Sequence, residues 1–141
     1  MAKSFLGRLA VGFVGAGLMM LSVSASAAAL KGDPAHGEEL YEECSGCHSM
    51  TENVIGPRHC GVVGRKAGSV KDYPSYTDVM KDSGITWTHD KLDEFLASPL
   101  SYLSGTAMGF VGIGDAQHRA DVIAFLEKAG SDPATCASVP K

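Results

Sequence analysis

The sequence predicts a small all-α domain whose helices are joined by long loops. Apolar residues recur at helical spacing near both ends of the chain, and capping residues precede those stretches. Glycines cluster in residues 56–68 and again in residues 105–114, where no regular element is expected. No segment after the N-terminal region alternates polar and apolar residues as a half-buried strand does. We therefore expect helices near the two ends and irregular loops in between.

The first predicted helix begins after Asp33. An aspartate followed by proline is typical of a helix start, because the carboxylate accepts hydrogen bonds from free N–H groups and proline suits the first turn. Leu40, Tyr41 and Cys44 then fall on one side of the helix. The other side, which we expect to face solvent, carries Glu38, Glu39, Glu42 and Glu43.

Two more helices are predicted in the second half of the chain. Residues 88–97 form a short helix that Pro99 ends, and its inward side chains are Leu92, Phe95 and Leu96. Residues 100–114 contain several glycines and are expected to form a loop. Asp115 can cap the last helix, whose apolar stripe consists of Ala120, Ile123, Ala124 and Phe125.

The N-terminal residues have the composition of a secretory signal peptide. Lys3 and Arg8 form a basic start, residues 9–21 are apolar and uncharged, and mostly small residues follow at positions 22–29. The alternative is an anchor that stays in the membrane. We favour the cleaved peptide because the apolar run is shorter than the roughly 20 residues that cross a bilayer.

The predicted domain organisation follows from that segment. Ala27 and Ala29 are both suitable residues before a cleavage site. We expect a signal peptide at residues 1–27 and one domain at residues 28–141, with a short tail after about residue 130. No other apolar run is long enough to insert into a membrane, so the mature protein is expected to be soluble.

The charge of the chain limits its partners. It has 12 basic and 16 acidic residues, a formal net charge of −4. Cleavage would remove Lys3 and Arg8 and no acidic residue, which makes the mature protein more acidic. The basic residues are scattered and form no dense patch, so nucleic acid is not an expected partner.

The residues Cys44-Ser45-Gly46-Cys47-His48 match the Cys-x-x-Cys-His pattern of haem c attachment. Two thiols at this spacing can each form a thioether with a vinyl group on the same edge of a porphyrin. His48 then lies beneath the iron, where a neutral imidazole can bind it. The motif predicts one covalent haem c, with Cys44 and Cys47 as the attachment points and His48 as an axial ligand.

Two other functions are compatible with a Cys-x-x-Cys pair. A thioredoxin-like redox pair would need a surrounding βαβ pattern, which this sequence does not have. A zinc site would need a second pair of ligands at suitable spacing. Predicted export also favours haem, because haem is attached to cytochromes outside the cytoplasm. We therefore expect several helices and long loops to wrap around one covalent haem c.

Further motifs follow in a fixed order: Gly56-Pro57, Gly64-Arg65-Lys66, Tyr76-Thr77-Asp78, Gly84-Ile85-Thr86-Trp87, Gly105-Thr106-Ala107-Met108 and residues 119–126. This series resembles the class I cytochrome c family, in its bacterial and mitochondrial-like branch. The similarity runs from about residue 32 to residue 129. It implies the small cytochrome c fold and a protein that transfers electrons and is not an enzyme.

The resemblance assigns residues to the iron ligands. Met108 matches the sixth ligand, and a thioether raises the reduction potential relative to a second imidazole. Met50 lies too close to the attachment motif to reach the other haem face, and Met80 would be a core residue. Pro57 matches the residue whose carbonyl accepts a hydrogen bond from the ring of His48.

Other matched positions belong to the haem surroundings. Arg65, Tyr76 and Trp87 match groups that hydrogen-bond the haem propionates, and Thr106 matches a neighbour in the same network. The alternative for these four is packing or surface exposure. Gly37 and Phe125 match the crossing of the terminal helices. The remaining histidines are expected to be surface or capping residues: His36, His59, His89 and His118.

The sequence departs from the mitochondrial pattern at the exposed haem edge. Lysines that dock redox partners in that pattern are replaced here by Glu43, Leu100, Ser101 and Ala107. We therefore expect no docking through a dense ring of lysines.

Cys60 and Cys136 lie outside the haem motif and outside the mitochondrial pattern. In an oxidising compartment they are expected to form a disulfide that ties the tail to residues 56–64. The alternatives are two free thiols or a dimer linked through one of them.

The resemblance implies a soluble, monomeric carrier in the periplasm that moves one electron at a time. Its expected partners are redox proteins in a respiratory or photosynthetic chain: a donor dehydrogenase or cytochrome complex, and an acceptor oxidase or reductase. Two alternatives remain open. One is a haem subunit bound permanently to a dehydrogenase or oxidase, and the other is a haem enzyme or gas sensor with an open iron site.

Overall fold

A computed structural model describes residues 30–140 of the chain. The predicted signal peptide at residues 1–27 lies outside the described residues. Within them the chain forms six helices: α1 Pro34–Ser45, α2 Asp78–Lys81, α3 His89–Ala97, α4 Pro99–Tyr102, α5 Ala116–Ser131 and α6 Pro133–Cys136. In the same part of the chain, β pairing is limited to one isolated antiparallel bridge between Lys66 and Thr86. The all-α prediction is therefore confirmed.

Helix α1 begins where the sequence predicts. The Asp33 carboxylate accepts a hydrogen bond from the backbone N–H of Ala35 at 2.9 Å, and Pro34 is the first helical residue. Tyr41 is buried, while Leu40 and Cys44 are partly buried on the same side. The four glutamates on the other side are exposed, as predicted.

Helix α3 also agrees with its prediction, but the loop after it starts later than expected. The Thr88 hydroxyl caps α3 by accepting from the backbone N–H of Lys91 at 3.3 Å. The prediction of a loop from residue 100 was wrong for its first residues, because Pro99 begins helix α4. Proline disfavours continuation of a preceding helix and suits the first turn of a new one, so both roles fall on Pro99.

Helix α5 is capped by Asp115, whose carboxylate accepts from the backbone N–H groups of Gln117 and His118. The most buried side of α5 differs from the predicted apolar stripe. Of the four residues predicted for that stripe, Ile123 is buried and the other three are partly buried. The other buried residues of α5 are Asp121, Val122 and Leu126. The burial of Asp121 could not be predicted from the sequence, because a buried carboxylate depends on hydrogen bonds from distant residues.

The short helices α2 and α6 were not predicted. Each contains four residues, about one turn, which is too short for a helical period to be read from the sequence. The α6 helix belongs to the segment predicted as a tail after residue 130.

Helices α1 and α5, the first and the last of the longer helices described, form the most extensive contact between helices. A Cβ atom at Gly37 would overlap the carbonyl group of Asp121 and lie 3.0 Å from Cβ of Phe125. Glycine is therefore required for the close approach of the two backbones, and the predicted crossing at Gly37 and Phe125 is confirmed.

One hydrophobic core joins the helices to the middle loops. Its buried members are Tyr41, Val62, Ala67, Trp87, Leu92, Phe95, Leu96, Val122, Ile123 and Leu126. Cys44, Met80 and Met108 are partly buried and pack against it. Among the described residues, no helix has both the length and the apolar character needed to cross a membrane.

Candidate haem site

The attachment motif lies at the end of α1. Cys44 is in the last turn of the helix, and its carbonyl oxygen accepts hydrogen bonds from the N–H groups of Cys47 and His48 at 3.0 and 2.9 Å. Both cysteines are free thiols, Cys44 partly buried and Cys47 exposed. Burial raises the pKa of Cys44 to about 11, with further contributions from Glu43 and Cys47. One tight turn at the end of α1 therefore carries both free thiols and leads directly into His48.

The imidazole of His48 is held through one of its two nitrogens. Its Nδ1 lies 2.8 Å from the carbonyl oxygen of Pro57, which is the contact predicted for that proline. Burial lowers the pKa of His48, which favours the neutral form. With Nδ1–H donating to the carbonyl, Nε2 carries the free lone pair that a metal needs.

Two further residues contact the His48 ring, and sequence reasoning missed both roles. A Cβ atom at Gly56 would overlap the ring, so glycine is required at this position. The ring of His59 stacks on that of His48, with centroids 4.2 Å apart and an interplanar angle of 21°. The prediction that His59 is a surface or capping residue was wrong, because the ring is partly buried between His48 and Tyr41. The Gly56-Pro57 motif was the one available indication that this loop approaches His48.

Backbone pairing brings two predicted haem-environment residues together. The N–H of Trp87 donates to the carbonyl of Arg65 at 2.9 Å, and the N–H of Gly64 donates to the carbonyl of Trp87 at 2.8 Å. Trp87 is 7% exposed, and its ring packs against Phe95 at a centroid distance of 4.9 Å. Trp87 is therefore fixed in the core by both its backbone and its side chain.

The Arg65 guanidinium makes its hydrogen bonds to the backbone. Nη1 donates to the carbonyl of Cys60 at 2.7 Å, and Nη2 donates to that of Arg58 at 2.8 Å. Burial lowers the pKa of Arg65, and the charge interaction with Tyr76 partly opposes that change. The structure thus uses Arg65 to hold the loop around Cys60.

Thr106 is the residue that fixes Met108 locally. Its side chain is buried, and its hydroxyl oxygen accepts from the backbone N–H of Met108 at 3.3 Å. The N–H of Thr106 donates to the carbonyl of Leu103 at 3.0 Å. Met108 and Cys44 both pack against the central core, so the attachment motif and the candidate distal ligand border the same apolar region.

Thr77 provides an independent test of whether these residues suit haem. Its hydroxyl oxygen is buried and has no hydrogen-bond partner among the described residues, although Thr77 stands at the N-cap of α2. A buried hydroxyl without a partner is costly, and a haem propionate is an acceptor that would satisfy it. Thr77 follows Tyr76 directly, so it adds a donor to the predicted propionate group. The Tyr76-Thr77-Asp78 motif contains this residue, but the motif alone does not indicate that its hydroxyl is buried.

The chain segments near Arg65 are also tied to the tail. Cys60 and Cys136 form a disulfide, with Cα atoms 5.8 Å apart. The Arg58 side chain, 5% exposed, donates from Nη1 to both carboxylate oxygens of Asp72 and from Nη2 to the carbonyl of Pro140 at 3.1 Å. The last residues described therefore pack against the loop that follows Pro57.

The helical fold, the two free thiols and the His48 ring held at Nδ1 define a haem protein of the Cys-x-x-Cys-His class. No family model matches the chain. Cytochrome c2 of Rhodomicrobium vannielii is 44% identical over 119 residues, which cover 82% of this chain and 91% of that protein. Cytochrome c of Cochliobolus lunatus is 44% identical over 102 residues, covering 70% and 94%. Among solved structures, cytochrome cH from Methylobacterium extorquens matches with a TM-score of 0.67 and 41% identity, covering 69% of this chain and 99% of its own.

These similarities establish that the chain belongs to the class I cytochrome c family. The protein is an electron carrier with one covalent haem c, and it is not an enzyme. The electron-carrier role, the single haem c and the all-α fold class expected from the sequence are confirmed.

Proposed function

We propose that the protein is a soluble periplasmic carrier of single electrons whose haem iron is ligated by His48 and Met108. When bound, haem c supplies an iron that alternates between the ferric and ferrous states. The periplasmic assignment is supported by the predicted signal peptide at residues 1–27 and by the likeness to bacterial cytochromes c2 and cH. The proposed partners are a donor dehydrogenase or cytochrome complex and an acceptor oxidase or reductase.

The observation that carries the proposal is the hydrogen bond between His48 Nδ1 and the carbonyl of Pro57. It fixes the tautomer of the ring and leaves Nε2 free to bind a metal. The thiols of Cys44 and Cys47 come from the turn directly before His48. Attachment through these thiols would therefore keep the imidazole beside the macrocycle in both oxidation states.

Met108 is supported as the second ligand by its surroundings. The Thr106 hydroxyl holds the backbone of Met108, and the side chain borders the core. A thioether is a weaker donor than an imidazole and favours the ferrous state, which raises the potential. Two protein ligands also leave no open position on the iron, which fits a carrier better than an oxygen-activating enzyme.

The core and the polar group near Arg65 perform two further tasks. Trp87, Leu92 and Phe95 are buried in the core that Met108 borders, so they would keep water away from that side of a bound haem. We propose that five side chains satisfy the haem propionates: Arg65, Tyr76, Thr77, Trp87 and Thr106. The unpartnered Thr77 hydroxyl supports this most directly, since it is buried and has a proton to donate.

A permanently bound haem subunit is the second candidate, and exposed apolar side chains are compatible with it. Ile55 is 70% exposed, Val111 is 87% exposed and Leu100 is 53% exposed. Such residues can belong to a stable interface or to a transient one. Size-exclusion chromatography of the native extract distinguishes the two, since a carrier elutes as a monomer and a subunit elutes with its complex.

The deciding experiment compares optical spectra of wild type and Met108→Ala. We expect the wild-type ferric protein to have a weak far-red band from the thioether–iron bond, and we expect Met108→Ala to lose it. Met80→Ala is the matched control, because Met80 is also a partly buried methionine at the core border, and it should retain the band. A band that survives in Met108→Ala would refute the ligand assignment. Rapid carbon monoxide binding by wild type at neutral pH would favour an open-site enzyme or sensor.

A further inference from the structure

We propose that His59 is a positioning residue for the axial imidazole, and that it fixes the plane of the His48 ring by stacking on it. The inference rests on the proposed ligation of iron by His48. It assigns a role in ligand geometry to a second histidine that is not itself a ligand.

One hydrogen bond does not define the orientation of an imidazole. The contact from His48 Nδ1 to Pro57 fixes the position of one ring atom, but the ring can still tilt about the line that joins Nδ1 to the carbonyl oxygen. The torsion between Cβ and an aromatic ring is soft, so it offers little resistance to that motion. A second contact on the face of the ring is needed to fix the plane.

The His59 ring supplies that contact. It lies nearly parallel to the His48 ring, at an angle of 21°, with a centroid distance of 4.2 Å. At this distance the two rings touch face to face, so a tilt of His48 would push it into His59. Gly56 lies against the His48 ring as well, and even one added carbon there would overlap it. The ring is therefore confined by a hydrogen bond, by backbone and by a stacked ring.

His59 can restrain its neighbour because it is itself held. Its backbone N–H donates to the carbonyl of Ser49 at 2.9 Å, and its carbonyl accepts from the N–H of Val62 at 2.9 Å. The Tyr41 hydroxyl lies 3.0 Å from Nδ1 of the ring. Tyr41 is buried in α1 and belongs to the core, so the restraint on His48 extends back to the first helix.

The plane of an axial imidazole has a measurable consequence. In ferric low-spin haem it selects which iron d orbital shares spin density with the porphyrin, and hence which haem methyl groups show the largest NMR shifts. Contacts to an axial histidine also tune its basicity and the reduction potential. The haem methyl shifts and the reduction potential therefore both respond to the orientation of the His48 ring. A residue that merely filled space would leave the pattern of methyl shifts unchanged.

The first test uses the wild-type holoprotein alone. In the reduced, diamagnetic state we expect nuclear Overhauser contacts between ring protons of His48 and His59. Their absence would overturn the proposal without any variant being made. The far-red band of the ferric protein is recorded on the same sample, so a failure of His48/Met108 ligation is recognised separately.

The second test compares variants that retain the far-red band. We expect His59→Leu to redistribute the haem methyl shifts and to change the potential. The double variant Tyr41→Phe/His59→Phe keeps a flat ring and leaves no hydroxyl without a partner, so it should restore the wild-type pattern. His89→Leu removes an exposed histidine from α3 and should have no effect. A His59→Leu protein with the wild-type pattern, or a double variant that resembles His59→Leu, would refute the proposal. If His59→Leu does not fold, the double variant and the Overhauser contacts decide the question.

Discussion

The Nδ1 atom of His36 on α1 lies 2.8 Å from Oδ2 of Asp121 on α5. Asp121 is 2% exposed, and its other oxygen accepts from the backbone N–H of Asp33 at 2.7 Å and from Nε2 of Gln117 at 2.8 Å. The Asp33 N–H, followed by Gln117 and His36, lowers the pKa of Asp121 to about 2. The hydrogen bond to Asp121 raises the pKa of His36 in turn. One carboxylate therefore links the start of α1 to the middle of α5.

This pair predicts a pH dependence of stability. The pKa of His36 is raised on folding, so its contribution is complete below its ordinary pKa of 6.5 and is lost as the pH rises through the folded value. The pKa of Asp121 is lowered, so its contribution is present above 3.8 and is lost as the pH falls towards about 2. The pair should therefore stabilise the fold most between about pH 3.8 and pH 6.5, the ordinary pKa values of the two groups.

The prediction is tested with His36→Gln in denaturant titrations at pH 5 and pH 9. We expect the variant to have a lower free energy of unfolding than wild type at pH 5, and we expect the difference to be smaller at pH 9. His89→Gln is the control, because His89 pairs with Glu127, whose carboxylate is exposed, and the change therefore removes a histidine without touching the buried carboxylate of Asp121. An equal loss at both pH values would mean that the charge on His36 is unimportant.

Gly37→Ala should destabilise the crossing of α1 and α5. The added carbon would overlap the carbonyl of Asp121, so the helices must separate, at a cost of about 1–3 kcal/mol or more. Gly114→Ala is the control, since a Cβ there meets no atom within 4 Å. Urea unfolding of the two holoproteins measures the difference. A Gly37→Ala protein as stable as Gly114→Ala would show that the helices separate at no cost.

The helix starts were predictable from sequence because their causes are local. Asp33, Thr88 and Asp115 each cap the helix that follows within three residues. Helix α2 could not be predicted, because a single turn is too short to show a helical repeat of apolar residues in the sequence. The burial of Asp121 was missed because it depends on a backbone N–H that is 88 residues away in sequence.

The site was predictable where a motif contains the chemistry. Cys44, Cys47 and His48 follow from spacing alone, whereas the contact of Pro57 with His48 and the proposed role of Met108 rest on the family resemblance. His59 and Thr77 were missed for a different reason. The local sequence around a histidine stacked on His48, or around a buried hydroxyl, does not differ from that of surface residues, and only the folded chain brings them to the candidate site.

Breaking the disulfide with Cys136→Ser should lower the free energy of unfolding. In the chain-entropy model a bridge with a sequence separation of 76 contributes about 4 kcal/mol, and less where attached haem already restricts the unfolded chain. We expect the variant to bind haem normally and to unfold at lower denaturant. Ser131→Ala on α5 is a control that leaves the bridge intact. Two free thiols in the native wild-type protein, found by mass spectrometry, would contradict the pairing.

The haem edge should give electron transfer that depends weakly on salt. Glu43, Leu100, Ser101 and Ala107 are all exposed at positions where the mitochondrial pattern has lysines. Without a dense positive surface, long-range attraction to an acidic partner is small, and salt has little to screen beyond a Debye length of about 8 Å. The second-order rate with an acidic oxidase should therefore change little between low and physiological ionic strength.

Adding the missing charges provides the sharper test. The triple variant Leu100→Lys/Ser101→Lys/Ala107→Lys should react faster with the acidic partner at low salt, by about tenfold or more, and lose that gain as salt rises. A triple variant with lysines at exposed Ala35, Ala134 and Ala137 carries the same added charge elsewhere and should gain less. Stopped-flow rates over a range of ionic strength compare the three proteins. If wild type itself lost most of its rate with rising salt, its docking would depend on charges outside these four positions, and the prediction would be wrong.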